Sequence, residues 1–577
     1  FPMKDEDNNK ESKKKGFYFK DYTESDITVN NKDTKLVKVS LNRITFLSFI
    51  FFSLILIFSI KIIYLSLSPD KNFFLENINQ DFVKERRDIV DRNGIIIARN
   101  IGIYSAGIRP QLAKDKGKLL LNLRLILPEL ESNKIKNKLN HNKFFYLKRR
   151  LTEEEKTNLW LLGNKAIVFE KKKFRIYPQK NLFSHVLGQI DDNNIGISGI
   201  EKFFDQDLKN KELVNFSLDL TLDSNLQYLI RKELINAQAD FNAVGSAALL
   251  MDVDNGEILS LVSLPDYDLN KRFSINEDIY TNKITKGVYE LGSVFKTFTL
   301  AAALESNVIN SNTMFKNLDK KIFCAGREIS EHDELPQNLS AEQILIRSSN
   351  IGAIRIAQMV GIKKYKDFLN SLELFKKIDF DFEEIGTPLP FRWGKCKLAT
   401  SSFGHGVTTT PLQLARAYAI LGNGGYKIQP TILRKKLNPP EQKIQIISSE
   451  TSDTINSILR KVVANKEGTA NFANIKGYEV GGKTGSALKS SDGIYTKKKF
   501  NTFVSLFPTS RPKYVLLVIL DEPKPAPHFV YEFSNGYKHK GEKRNTSGWN
   551  TVVVAGKIIE KIGPILAINN LQASNKF

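Results

Sequence analysis

Cysteine is nearly absent: the 577 residues contain two, Cys324 and Cys396. That excludes a disulfide scaffold and leaves one bridge at most, which spacing alone does not decide. No Cys/His cluster has metal-ligand spacing, and no Walker or dinucleotide-type glycine loop occurs, so neither a metal nor a cofactor is expected. Charge of a single sign is also missing over any long stretch. The 85 basic residues are interleaved with 63 acidic ones for a net +22, and no nucleic-acid recognition module accompanies them. A solvated Lys-rich surface follows, with some attraction to anionic membranes or wall polymers, and no nucleic-acid partner. With 41% hydrophobic and 26% charged residues, the rest of the chain has the composition of packed globular domains, about three or four by length.

Long apolar runs are missing with one exception. Ile44 to Ile60, ITFLSFIFFSLILIFSI, holds 17 residues without a charge, and the apolar character resumes after Lys61 up to Ser68. With Lys61 snorkelling, residues 44–67 are long enough to cross a bilayer as a helix. A cleaved signal peptide has a shorter apolar region nearer the start and a small-residue cleavage site, so an anchor is the better reading. Lys35, Lys38 and Arg43 precede the span, and Lys71 is the only basic residue in the dozen after it. The positive-inside rule then places a polar, disordered tail, 1–43, in the cytoplasm and everything beyond the span outside.

After the span, Arg86–Asn100 (RRDIVDRNGIIIARN) reads as strand, turn at Asn93-Gly94, strand. Residues 110–165 look helical and heavily charged. Arg175–Ile190 and Gly196–Leu208 return to an extended, glycine-punctuated style. From Leu220 the pattern becomes α/β. An amphipathic helix starts near Ser224. Two strands flank Asp254-Asn255-Gly256. The run YVLLVIL (514–520) is a buried strand, and a final helix lies near 551–562. Strands early and late, with helices between, predict one sheet closed by sequence-distant strands with helices on its faces. Residues 523–546 read as a long polar loop.

Chemistry concentrates in three places. In YELGSVFKTFTLAAAL (Tyr289–Leu304), a helix starting at Ser293 puts Ser293 and Lys296 on one face, a turn apart. The positive end of the helix suits a hydroxyl becoming an alkoxide, and a Lys between Phe295 and Phe298 is poised to lose its proton. That is a nucleophile with its base. Alone the pattern is weak, since S-x-x-K also occurs at Ser12, Ser68, Ser486 and Ser510. Downstream, Ser348-Ser349-Asn350 stands at a turn before a helix, and Lys483-Thr484-Gly485 lies on a strand. K-T-G occurs once in the chain. The ordered set S-x-x-K, S-x-N, K-T-G is the signature of serine penicillin-recognising enzymes.

On these motifs the chain resembles the class B penicillin-binding proteins, membrane-anchored peptidoglycan D,D-transpeptidases, over nearly everything after the anchor. DIVDRNGIIIA and RIYP…SHVLGQI…GISGIEKFFDQDL resemble the family's non-catalytic pedestal. MDVDNGEILSLVSLPDYDLN, GVYELGSVFKTFTLAAAL and SSFGHGVTTTPLQLARAYAILGNGG resemble its transpeptidase core. One departure is Leu291, where the family usually has Pro. The resemblance implies an α/β (α+β) transpeptidase domain, 216–577, with an antiparallel five-stranded sheet and helices on both faces. An elongated β-rich pedestal, 68–215, and one N-terminal transmembrane helix precede it. It implies that Ser293 attacks the penultimate D-Ala carbonyl of a stem peptide, or a β-lactam, and forms an acyl-enzyme. Lys296 acts as base, kept neutral with help from the charge of Lys483. Ser348 relays a proton to the leaving amine, and Asn350 bonds Lys296 and a substrate amide. Lys483, Thr484 and Gly485 bind the terminal carboxylate, and the N–H groups of Ser293 and Ser486 form the oxyanion hole. Gly481, Gly482 and Gly485 are expected to open a strand for a pairing peptide. His405 is expected in the cleft wall and not as the base.

The resemblance also implies a glycan polymerase of the FtsW type and other division proteins as partners, and the inner membrane of a Gram-negative cell as location. The segment Thr546–Ile568 resembles the division-specific, FtsI-type enzymes more than elongation enzymes, and no wall-binding repeats follow Lys483. Competing readings fit less well. A serine β-lactamase has no use for a pedestal and anchor, and a β-lactam sensor wants an output module larger than residues 1–43. A bifunctional class A enzyme carries a glycosyltransferase domain where this chain has pedestal motifs. A non-catalytic scaffold does not need the intact Ser, Lys, Asn and Lys-Thr-Gly set.

Overall fold

The computed structural model describes residues 34–67, 86–191, 193–271, 277–434, 443–491, 494–533 and 536–574. Residues 1–33 of the tail expected over 1–43 and residues 68–85 lie outside them, while 34–43, expected to be disordered, are helical. Two compact units are present, divided after Val83. The first contains α1 (Thr34–Leu67). Within it, Arg43–Tyr64 is long and apolar enough to cross a membrane, with mean hydropathy 2.6 and none of its window buried. An apolar helix exposed all round needs lipid rather than water around it, so it fits a single-pass anchor.

The second unit begins with strands β1 (Ile89–Val90), β2 (Ile96–Ile108), β3 (Phe145–Lys148), β4 (Ile167–Ile176) and β5 (Leu218–Asp219). They form one sheet in the order β3-β2-β1-β5, with β4 also on β2. Gly94, at φ +80, makes the predicted turn between β1 and β2. Three helices, Lys116–Ile126, Ser132–Asn140 and Glu153–Leu161, supply the charged stretch. Their apolar faces (Leu119, Leu123, Ile135, Leu139, Leu159) close a small core of their own with Leu147 and Ile167. Near the base of this sheet, Glu201 is fully buried between two fully buried arginines, 2.6 Å from Arg86 and 2.7 Å from Arg175. Arg86 also meets Asp205 at 2.7 Å. The RRDIVD and GIEKFFDQD segments are thus the two sides of one ion-pair network. Asp91 ties the β1–β2 turn to the next region, accepting hydrogen bonds from the amide and hydroxyl of Ser224.

Ser224 opens α2 (Ser224–Asp240), capped by the Asp223 carboxylate on the amides of Asn225 and Leu226. Strands β6 (Gly245–Asp252) and β7 (Ile258–Leu264) follow as the predicted hairpin. Much later come β10 (Gly481–Ser491), β11 (Ile494–Phe507) and β12 (Tyr514–Asp521). The order is β10-β11-β12-β6-β7, antiparallel throughout. Continuous apolar runs in β6, β7 and β12 are buried on both sides because helices cover both faces. Helices α2 and α7 (Thr551–Ser574) pack together on one. Opposite lies α5 (Pro411–Gly422), beside α3 (Lys296–Glu305), α4 (Asn350–Val360) and α6 (Ser449–Ala464). The last helix runs through Pro564 to Ser574, well past the predicted end. Residues 523–546 are not a plain loop either: β13 (Ala526–Glu532) pairs with β14 (Lys538–Glu542) over a cluster of Phe472, Tyr531 and Trp549.

A separate hairpin, β8 (Lys321–Cys324) with β9 (Arg327–Ser330), stands outside the main sheet. Cys324 is bonded to Cys396, 72 positions away, which fastens the hairpin to the helix Lys395–Ser401.

Candidate active site

The nucleophile turn is built by close approach. Gly292, at φ +64, and Ser293 lie in a 3-10 turn, Gly292–Phe295, that runs directly into α3. The helix proper therefore begins at Lys296, not at Ser293. A Cβ on Gly292 would stand 2.8 Å from the Ser486 carbonyl, and one on Gly485 would stand 2.2 Å from the Leu291 carbonyl. Both positions need glycine because the turn and strand β10 touch backbone to backbone. This contact puts Ser293 beside the Lys483–Ser486 segment. Leu291, in place of the family's proline, is fully buried at φ −104, a value outside proline's range.

The glycines of β10 have a different cause from the one expected. Added Cβ atoms at Gly481 and Gly482 would meet the protein's own backbone at 2.8 and 2.5 Å, respectively at Arg460 and Val504. Packing against α6 and β11, rather than access for a peptide, excludes side chains there. β10 is nonetheless an edge strand of its sheet.

Ser348 links the three motifs. Its Oγ lies 3.1 Å from Lys296 Nζ and 2.8 Å from Lys483 Nζ, and its carbonyl accepts from Lys296 at 2.5 Å. Lys483 also reaches the carbonyl and hydroxyl of Thr484 at 3.2 and 3.3 Å. Ser348 is held at φ +61, a left-handed conformation that is uncommon for a residue with a side chain. Lys296 is 2% exposed and Lys483 fully buried. Burial holds the Lys296 amine down, to about 7, against the opposing pull of Glu331. Lys483 is pushed well below its ordinary range by burial first and by the Lys296 charge second. Two ammonium groups beside one hydroxyl in a buried site repel each other, so the two amines do not both stay charged.

Asn350 departs from expectation. Its Nδ2 donates to the Ser330 carbonyl at 2.9 Å, and its Oδ1 is buried without a partner; the expected bond to Lys296 is absent among the described residues. The lysine's donors are taken up by Ser348 instead. Thr484 exchanges a hydrogen bond with Thr469 at 2.9 Å, and Ser486 Oγ accepts from the Ser547 amide at 3.0 Å. His405 sits 3.6 Å from Glu290 and stacks on Tyr495, whose hydroxyl donates to Glu290 at 2.7 Å. Its partner Glu290 stands three residues ahead of Ser293 in sequence, and the two lysines bond Ser348 and Thr484 instead. Among the described residues no cluster of His, Cys, Asp or Glu is placed to hold a metal.

Sequence reasoning missed Glu331. It follows β9 directly, and its carboxylate accepts from Ser349 Oγ at 2.6 Å, the Asn350 amide at 2.7 Å and the Ile351 amide at 3.0 Å. Its only sequence signal is an acidic residue in a polar stretch, SEHDEL, which reads as surface.

The Ser293 turn and two buried lysines joined through Ser348 thus lie at the edge strand of a five-stranded antiparallel sheet covered by helices. Comparison with known sequences places it within one family. Residues 246–542 match the penicillin binding protein transpeptidase domain, and residues 83–215 match the penicillin-binding protein dimerisation domain. The chain belongs to the penicillin-binding protein transpeptidase family. It is 30% identical to the probable peptidoglycan D,D-transpeptidase FtsI of Caulobacter vibrioides, over 84% of this chain and 82% of that one. It is 31% identical to the stage V sporulation protein D of Bacillus subtilis, over 77% and 75%. It is 27% identical to the peptidoglycan D,D-transpeptidase FtsI of Escherichia coli K12, over 78% and 81%. In fold it is similar to penicillin binding protein 3 of Mycobacterium tuberculosis solved with aztreonam, at TM-score 0.64 and 20% identity, covering 84% and 96% of the two chains.

Proposed function

We propose that the protein is a membrane-anchored peptidoglycan D,D-transpeptidase that works through an acyl-enzyme on Ser293. The observation that carries this is the Ser348 hydroxyl bonded to both lysines beside the Ser293 turn. In the free site the two amines share one proton. A substrate's terminal carboxylate, arriving at Lys483 and Thr484, supplies the missing counter-charge and draws that proton to Lys483. Lys296 is then neutral and takes the Ser293 proton as Oγ attacks the penultimate D-Ala carbonyl. The amides of Ser293 and Ser486 hold the oxyanion, each worth roughly 2.7–4 kcal/mol in such sites. As the C–N bond breaks, the proton leaves through Ser348 to the amine of the departing D-Ala. An acceptor amine then attacks the ester, gives up a proton by the same route, and restores the Ser293 hydroxyl. A β-lactam follows the first half only: its ring C–N bond opens, but the leaving nitrogen stays tethered. Asn350 Oδ1, buried and unpaired, receives a donor when a substrate amide N–H enters the site.

The names of the FtsI relatives and the likeness of Thr546–Ile568 to division-specific tails favour septal wall synthesis, beside a polymerase of the FtsW type. The basic residues Lys35, Lys38 and Arg43 favour a cytoplasmic N-terminus and an outer catalytic domain, 216–577, on a pedestal, 68–215, across a Gram-negative inner membrane. The similarity to a sporulation protein keeps a second reading, in which the same chemistry serves another wall-building programme.

The enzyme class is tested by offering a stem-peptide thioester with a D-amino acid acceptor. A new amide, formed faster than free acid, is expected. Rapid hydrolysis without amide would assign the site to a β-lactamase-like hydrolase. Depletion giving filaments supports the septal role, and rounded cells would move the protein to elongation.

A further inference from the structure

The S-x-N motif does not hold itself in place. Ser349 is fully buried and Asn350 is 4% exposed. Between them and the lysines, Ser348 keeps its left-handed backbone. Two consecutive residues at the end of β9 grip this strained turn. The Ser330 carbonyl takes the Asn350 amide group, and the Glu331 carboxylate takes Ser349 Oγ and the amides of Asn350 and Ile351. Ser349, its proton committed to Glu331, accepts from the Gly352 amide at 2.8 Å and so caps α4. The carboxylate is therefore at the positive end of α4, where three donors and the helix dipole favour its charge. The hairpin that delivers it pairs only with itself among the described strands and is fastened by the Cys324–Cys396 bridge.

We propose that Glu331 is a positioning residue for acyl transfer, whose carboxylate, carried on the disulfide-fastened hairpin, holds Ser348 between Lys296 and Lys483 and turns Asn350 toward its substrate-binding orientation. This rests on the reading of Ser293 as the acylated residue. Glu331 does not touch the reacting atoms; it acts through Ser349, the α4 amides and its field. The charge that bears on Lys296 is Glu331, just after β9; the Lys296 charge in turn bears on Lys483 in β10 and on His332, whose imidazole is held below its ordinary value by burial first and that charge second. Glu331 is the one that favours the charged amine.

The test uses the full chain in detergent, measuring the second-order acylation rate by a fluorescent penicillin from pH 5.5 to 9. Glu331→Gln should lower the rate about 10- to 100-fold, the scale of a misplaced reacting group. The acidic limb of its pH profile should move to lower pH, because the anion that favours a protonated Lys296 is gone. Glu331→Asp, which keeps the charge, should return the limb and recover part of the rate. A Gln variant as fast as wild type, or slow with an unmoved limb, would overturn the proposal, the second result showing packing alone. Should the Gln variant not fold, Ser349→Ala removes one of the three bonds and keeps the charge: a smaller loss with the limb in place is expected, and an unchanged rate would overturn the idea. A wild-type chain that takes no label at Ser293 would refute the reading beneath, before any variant is compared.

Discussion

Replacing Lys296 by Met removes one of two buried amines and leaves a side chain of similar length. In the folded wild type this amine is held to about 7, against an ordinary 10.5. A lysine depressed in this way binds fewer protons folded than unfolded, so it destabilises most at low pH, and the penalty is relieved as pH rises from about 7 toward its unfolded value. From pH 7 to pH 9, the single group returns about 2 kcal/mol of stability to the wild type. The Met variant lacks that slope. It also frees Lys483 from its charged neighbour, so Lys483 regains part of its ordinary basicity. The variant should therefore be more stable than wild type at pH 7, with the advantage shrinking by about 2 kcal/mol at pH 9. Urea unfolding of the detergent-solubilised chain at the two pH values measures this. A stability difference that does not change with pH would refute the account of two amines sharing one proton. The same variant should lose about 10²–10⁴ in acylation rate, the usual contribution of a general base.

Lys296→Arg should abolish acylation, since guanidinium keeps its proton, while Lys483→Arg should retain part of the rate through carboxylate binding; equal residual rates would show the roles misassigned. Replacing Cys324 and Cys396 by Ser opens a 72-residue loop, and chain entropy puts the loss at about 4 kcal/mol, read as a lower melting temperature that reductant does not lower further. Glu201→Gln takes the counter-charge from buried Arg175 and leaves buried Arg86 with Asp205 alone, and should cost about 3–5 kcal/mol in unfolding experiments. Gly485→Ala drives a Cβ to 2.2 Å from the Leu291 carbonyl, parting the Ser293 turn from β10. Acylation should fall by about 10²-fold or more.

Features carried by local pattern were legible in the sequence. The buried runs of β6 and β12 announced a shared sheet because continuous apolar strands need cover on both faces. Ser293, Lys296, Ser348, Asn350, Lys483, Thr484, Gly485 and Ser486 were singled out by motif order and by the family resemblance, and the fold brings their segments together around Ser348 and β10. What failed depended on distance or on weak alternation. Glu331 looks like any surface acid until the hairpin folds onto α4. The Asn350 side chain was assigned to Lys296, but Ser330 captures its amide and Ser348 captures the lysine. The final helix was expected near 551–562, yet α7 continues through Pro564 to Ser574. The β13–β14 hairpin was hidden because APHFVYE and KHKGE carry little regular alternation; their aromatic partners Phe472 and Trp549 lie elsewhere in the chain. The pairing of Cys324 with Cys396 was open because their separation in sequence says nothing of their separation in space.

The central claim is that one serine, Ser293 in the Gly292–Phe295 turn and beside two buried lysines, takes the acyl group. Reaction of the intact chain with penicillin, followed by intact-mass measurement and peptide mapping, tests it most directly. One adduct per chain, located on Ser293 and absent from Ser293→Ala protein of unchanged melting temperature, is the predicted result. An adduct on Ser348, Ser486, Ser510 or any other residue, or no adduct on a folded chain, would contradict it.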